Sequence, residues 1–238
     1  MRMPDFLVLT LVAPMGAFGD LAGHERRGSH GLPGRGAILG LLGAAQGVRR
    51  DDAEGQAALS TWRMAVAQLL PGTPLRDFHT AQAVPSARIK RPDSRRHALS
   101  RLTHADNPIV TQRDYVTDCA FAVALWGGDL ETARDALLRP RFALYLGRKS
   151  CPLSAPMAPR IVDAPNAMAA LRKAVLPPFA WRSPAPNPSR PILIASDAPI
   201  DGARQETRWD DPIDRTRWHF GPRTVHIYAL AAQSDSGA

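Results

Sequence analysis

Apolar residues fall in blocks along the chain, and the blocks differ in length and period. The run 6–13 is nearly unbroken Leu and Val, the pattern of a strand buried on both faces. Ala-Pro-Met-Gly-Ala-Phe-Gly at 13–19 ends it, and a polar loop over 20–35 follows, with His24, Arg26, Arg27 and His30. Apolar residues resume almost continuously at Ala37, now with glycines at helical spacing, Gly36, Gly40, Gly43 and Gly47. The spacing predicts a buried helix stopped at Gly47. A second helix is expected over 54–59 and a strand over 62–70. Residues 115–126 form another apolar strand bounded by Gly127-Gly128. A short helix over 130–138 carries Asp129 as N-cap and is stopped by Pro140. A further helix is expected over 164–175, with Asp163 or Pro165 near its start. Residues 177–191 are proline-rich and predict a linker. Strands are expected over 192–195 and 224–230, with alternating Arg and Asp between them and a frayed tail over 233–238.

One stretch breaks this rhythm. Over 76–113, Arg76, Arg88, Lys90, Arg91, Arg95, Arg96, Arg101 and Arg113 sit among three histidines with few large apolar residues. Its composition argues against a core element. It predicts a basic excursion, extended by like-charge repulsion and broken by prolines, that projects from the body as a hairpin. The order strand, helix, strand, excursion, strand, helix points to an α+β, ferredoxin-like domain. Related four-stranded sheets bind single-stranded RNA.

Charge sharpens that picture. The 238 residues carry a formal charge of +8, with arginine far outnumbering lysine. Guanidinium forks match phosphate oxygens, so the balance fits a polyanion partner. The glycine-rich turn 31–36 before the first helix presents free backbone N–H groups, a setting that favours anions, and adds Arg35 beside Gly36. It is neither known nucleotide loop: no Gly-Lys-Ser/Thr follows, and Leu39 stands where a dinucleotide fingerprint has glycine. The segment 145–153 sets a basic tip, Arg148-Lys149, on a glycine turn between apolar anchors, flanked by Tyr145 and Ser150.

Catalytic patterns are missing. There is no His-Glu-x-x-His and no Gly-x-Ser-x-Gly, and the histidines are scattered. His79 is a candidate general base, with an RNA-contacting or structural role favoured over it. Cys119 and Cys151 form neither a CxxC pair nor a disulfide framework, which fits a reducing compartment. Pro4 and Asp5 interrupt the N-terminal apolar stretch, against a secretory signal, and no run reaches transmembrane length.

Several motifs occur together in order. They are Ala13 to Gly19, the turn and helix 33–47 followed by Arg50-Asp51-Asp52, Arg76-Asp77-Phe78-His79-Thr80, Arg113-Asp114-Tyr115, residues 118–126, and Pro140-Arg141 through Tyr145-Leu146-Gly147-Arg148-Lys149-Ser150-Cys151-Pro152-Leu153. Across residues 5–155 the chain resembles the CasD family of type I-E CRISPR Cascade subunits, in the RAMP superfamily. The C-terminal third matches loosely, through 192–199 and Arg217-Trp218.

The resemblance implies an RRM-like domain over 1–175 with a projecting basic thumb at about 78–113. Residues 176–238 would form the proline-rich linker and a smaller β-rich part. It also implies a cytoplasmic, non-catalytic scaffold with no metal or cofactor and no membrane contact. Such a subunit holds the five-prime handle of the crRNA, caps the CasC backbone, touches the large CasA subunit and meets target DNA through the complex. On this basis Arg27, Arg35, Gly36, His79, Arg88, Lys90, Arg91, Tyr145, Arg148, Lys149 and Ser150 are the candidate RNA contacts. The family often has serine at the position of Gly36. Two other functions remain open. One is a metal-independent endoribonuclease like the type I-C relatives, using His79, Lys149 and Tyr145. The other is a DNA-binding module, motivated by charge alone.

Overall fold

The computed structural model describes residues 3–23, 25–178, 181 and 185–230. His24 and the tail expected to fray over 233–238 lie outside them.

The central strand β1, Asp5–Gly16, is buried from Phe6 to Ala13, as its unbroken apolar run requires. The stretch expected to be a polar loop instead pairs as a small hairpin of β2, Gly19–Ala22, and β3, Arg26–Ser29. Helix α1, Arg35–Gln46, ends at Gly47, whose φ of 82° is the left-handed stop the sequence predicts. Helix α2, Ala53–Ser60, is capped by Asp52, which accepts from the Gly55 N–H. Strand β4 spans Arg63–Leu70 and β5 spans Thr73–Ala81. A five-residue helix α3, Arg95–Leu99, precedes the 18-residue strand β6, Ile109–Trp126. Helix α4, Leu130–Leu138, starts where Asp129 accepts from the Thr132 N–H, as expected.

The helix expected over 164–175 is shorter. Strand β7, Arg160–Asp163, precedes it, and α5 covers only Ala167–Leu171 with Asn166 as its cap. Strand β8, Leu193–Ser196, then β9, Arg204–Asp214, and β10, His219–Ala229, complete the chain.

β1, α1, β4, β6, α4 and β7 form the βαββαβ unit. Their strands lie in the antiparallel order β7-β1-β6-β4, which is the ferredoxin-like arrangement. β8 pairs with β4, β10 with β8, and β9 with β10. The C-terminal strands therefore widen one ten-stranded sheet. The sheet has two apolar faces. Leu7, Leu9, Leu11, Phe121, Val123 and Leu125 pack with residues of α1, α2 and α4. Behind them Ala65, Ala67, Ala120, Ala122 and Ala124 leave room for Ala167, Ala170 and Leu171 of α5. Among the described residues no helix is long and apolar enough to cross a membrane.

The basic stretch projects as the β5–β6 hairpin, as expected. Its tip is not simply extended: α3 forms there, and Ala98 is only 4% exposed.

The start of α1 departs most from expectation. Arg35 is buried, not displayed. Its backbone N–H donates to Asp210 Oδ2 at 2.8 Å, so a carboxylate from β9 already occupies the helix N-terminus. Its guanidinium donates to Asp211 Oδ1 at 2.7 Å, to the carbonyls of Trp62 and Ser60 at 2.6 and 2.7 Å, and to Asp197 Oδ2 at 3.3 Å. Arg223 bridges Asp210 and Asp197. Burial alone would push the Asp210 carboxyl up, but the Arg223 hydrogen bonds bring it below its ordinary value. Burial does push Asp197 up, against the pull of Arg223. Gly36 lies inside the same junction. A Cβ there would stand 3.2 Å from Phe220 Cε1, and its carbonyl accepts from Arg215 Nη2 at 2.9 Å.

Removing the Arg35 guanidinium leaves the Trp62 and Ser60 carbonyls without a donor and takes one partner from Asp197 and Asp211, so Arg35→Ala should lower stability by about 2–4 kcal/mol. Urea unfolding measures it. Arg35→Lys should recover little, because an ammonium cannot span four acceptors. A stability within about 1 kcal/mol of the parent chain would show that the network contributes little.

Candidate nucleic-acid interface

The loop at 145–152 is built by local geometry. Leu146 N–H donates to the Cys151 carbonyl at 2.8 Å, and Cys151 N–H donates to the Arg148 carbonyl at 2.9 Å. Leu146 and Cys151 are buried anchors. Gly147 has φ 88°, and a Cβ there would fall 1.7 Å from the Ala17 carbonyl oxygen, so only glycine fits. Arg148, Lys149 and Ser150 are thereby held at the tip. Tyr145 bridges to Pro152 at its base. Lys149 and Ser150 are exposed.

Arg148 turns back onto the sheet. Its guanidinium carbon lies 4.7 Å above the centre of the Tyr115 ring, and its Nη2 donates to the Arg27 carbonyl at 3.5 Å. Its Nη1 is buried with no hydrogen-bond partner among the described residues, and so is Nε of Arg113. Arg113 pairs across from Arg27 in the parallel contact of β3 with β6. Alternation along a strand puts Arg113 and Tyr115 on one face, so Arg27, Arg113 and Arg148 gather there. Opposite them on β5 lie Leu75, Asp77 and His79, in register with Tyr115, Arg113 and Thr111. His79 Nε2 stands 2.5 Å from Asp77 Oδ2, off line for a hydrogen bond.

The other face of the hairpin carries Arg76 and Phe78 on β5 and Gln112 and Asp114 on β6. Asp114 accepts from Arg76 Nε and from Arg26 Nη2, both at 2.8 Å. The bonds from Arg76, then Arg26, hold its carboxyl down at about 2.

The expected contacts thus separate into three groups. Arg27, His79, Tyr145, Arg148, Lys149 and Ser150 belong to the base of the hairpin and the adjoining loop. Lys90 and Arg91 are exposed in the excursion, and Arg88 there sits 3.4 Å from Asp106. Arg35 is buried and Gly36 half-buried where α1 meets β9 and β10. Their expected role as a free anion-binding turn is corrected, because Asp210 fills that position. Sequence reasoning did not assign Arg113 and Tyr115, although their spacing of two in a strand places them on one face.

Comparison with known proteins bears on this arrangement. The family model described as CRISPR-associated protein (Cas_Cas5) matches residues 6–226. The chain is 36% identical over 169 residues to the "CRISPR system Cascade subunit CasD" of Escherichia coli (strain K12), covering 65% of this chain and 70% of that protein. A solved chain described as "CRISPR RNA-guided surveillance complex" aligns at a TM-score of 0.66 and 25% identity, over 94% of this chain and 89% of that one. A second, described as "Crystal structure of Cas protein", aligns at 0.64 and 24% identity over 94% of both chains, and shows the fold alone.

The Asp114 clamp is directly testable. Its carboxyl should titrate near 2 in a carbon-detected NMR series. A depressed carboxyl stabilises the fold above its unfolded value of about 3.9 and loses that contribution as pH falls through the folded value. Arg76→Ala should move the titration upward. An unmoved midpoint would show that Arg76 is not the group holding it down.

Proposed function

The chain belongs to the Cas_Cas5 family of CRISPR-associated proteins, and on that premise we propose that it is the Cascade-type subunit that holds the five-prime handle of the crRNA. It would also cap the CasC-type backbone, adjoin a CasA-type large subunit and meet target DNA only through the complex, without cutting RNA itself. One observation supports the handle reading most. Three guanidiniums, Arg27, Arg113 and Arg148, share one hairpin face, and two of their nitrogens are buried without an acceptor. Buried donors take partners. The two side chains would turn outward for these nitrogens to meet a phosphate oxygen, and Lys149 on the neighbouring loop adds charge. Lys90 and Arg91 would extend the same cationic track along the excursion. Phosphate contacts of this kind position the strand without reading its bases.

The closeness of His79 to the Asp77 carboxylate, without an aligned hydrogen bond, is the one geometric feature on the side of the endoribonuclease alternative. His79→Ala separates the two readings. The scaffold reading expects normal guide maturation in the assembled complex, and the parent chain leaving repeat RNA uncut without divalent metal. Loss of maturation with assembly preserved would favour the nuclease.

Binding of handle RNA should weaken steeply with salt. At about −0.7 per phosphate on a single strand, three neutralised phosphates give a log–log slope of about −2. Arg148→Ala should reduce its magnitude by about 0.7. A slope near zero would remove this cluster as the phosphate site.

A further inference from the structure

The second face of the hairpin has a different chemistry. Phe78 is 62% exposed in the middle of β5. A single exposed apolar residue is ordinary, but the frame around this one is not. Gln112 stands directly opposite it in register, with a free choice of amide donor and acceptor. One pair further along, Arg76 and Arg26 are fixed by Asp114 with their guanidiniums on the same face. They are 45% and 60% exposed, so each keeps donors turned to solvent. The ring is held by paired backbone in the β5–β6 ladder, and among the described residues no aromatic partner covers it. Among the described strands β5 pairs only with β6, so its outer edge is open. A single strand lying along the Arg27 and Arg148 face can therefore pass over that edge to reach Phe78.

We propose that Phe78 is a stacking platform for one base of single-stranded RNA, with Arg26 and Arg76 beside the adjacent phosphates and Gln112 at the base edge. A flat apolar ring flanked by fixed guanidiniums matches a base and its phosphate, since any base offers a π-face. An apolar protein partner would bury the ring but would leave the two flanking guanidiniums partly desolvated and short of acceptors. This site rests on the RNA-binding reading above and adds to it a contact that does not depend on charge.

The test compares guide RNA affinity across Phe78→Ala, Phe78→Leu and Phe78→Tyr in the full chain, at several salt concentrations. The ring is exposed, so all three should fold. Phe78→Ala and Phe78→Leu should weaken binding about tenfold or more, while Phe78→Tyr stays close to the parent chain. The salt slope should not change in any of them, in contrast to Arg148→Ala. Phe78→Trp should show fluorescence quenched by the RNA. A parent chain that fails to bind guide RNA would remove the handle reading and this site together. If the parent binds with the expected slope but Phe78→Ala binds equally well, the handle reading stands and the platform is overturned. Phe78→Ala that keeps RNA affinity but drops out of the assembled complex would also overturn it, and assign the ring to a protein partner.

Discussion

Everything on the two hairpin faces depends on the register of one strand. β6 is 18 residues long and passes from the excursion into the centre of the sheet without a break. From residue 116 to 125 it is paired with β1, and from 120 to 126 with β4, where it is almost wholly buried. From 109 to 117 it pairs with β5. A slip of one residue would carry Phe121 and Val123 out of their layer and exchange them with alanines, which the packing on both sides forbids. The same slip would exchange Arg113 and Tyr115 with Gln112 and Asp114. The core therefore sets which chemistry faces the Arg148 loop. The transition between the two halves is marked by Asp118, at φ 52°, and by Gly72, where a Cβ would meet the Thr117 carbonyl oxygen at 2.3 Å. Both sit where β6 passes from β4 to β5, a few residues from the register shift between Gln68 and Leu70.

The number of arginines is a poor guide to where the partner binds, because several of them are engaged internally. Arg35 and Arg223 are spent on Asp197, Asp210 and Asp211, joining the first helix to the last hairpin. Arg215 lies over the Phe220 ring and on the Gly36 carbonyl, and burial lowers its pKa. A helix N-terminus does attract an anion here, as the glycine turn suggests. The anion is a carboxylate 175 residues away, supplied by the chain itself. The arginine surface left to a polyanion is smaller and more local than the 30 lysines and arginines of the chain imply.

What was legible in the sequence follows from how local its cause is. β1 and the core half of β6 were visible as apolar runs, and α4 as a cap followed by an apolar period. The Arg148 loop was visible because a glycine, two buried anchors and a basic tip lie within eight residues. β9 was not, since Arg204–Asp214 alternates charges with a proline and belongs to a sheet edge whose side chains are mostly half exposed. The helix expected over 164–175 is shorter, Ala167–Leu171, and its apolar residues pack behind a layer of alanines. The burial of Arg35 is illegible locally, because each of its side-chain acceptors lies at least 25 residues away.

The excursion shows why a count of like charges does not decide order. Two unit charges 4 Å apart in water repel by only about 1 kcal/mol, and salt screens them over about 8 to 10 Å. Against that weak repulsion the neck has specific bonds. Asp106 accepts from the Thr103 N–H and hydroxyl at 2.8 and 2.9 Å, and its carbonyl accepts from Gln82 Nε2 at 3.0 Å. The Thr103 bonds, the backbone one first, hold the Asp106 carboxyl below its ordinary value. Arg88 lies against the same carboxylate, and Arg95 donates to the Gln82 carbonyl. One acid thus closes a segment that carries several times as many bases. The cations it does not neutralise, Lys90 and Arg91 among them, are left on the outside of a formed tip. A formed tip loses less freedom on meeting a polyanion than an extended chain would, so more of each phosphate contact appears as affinity.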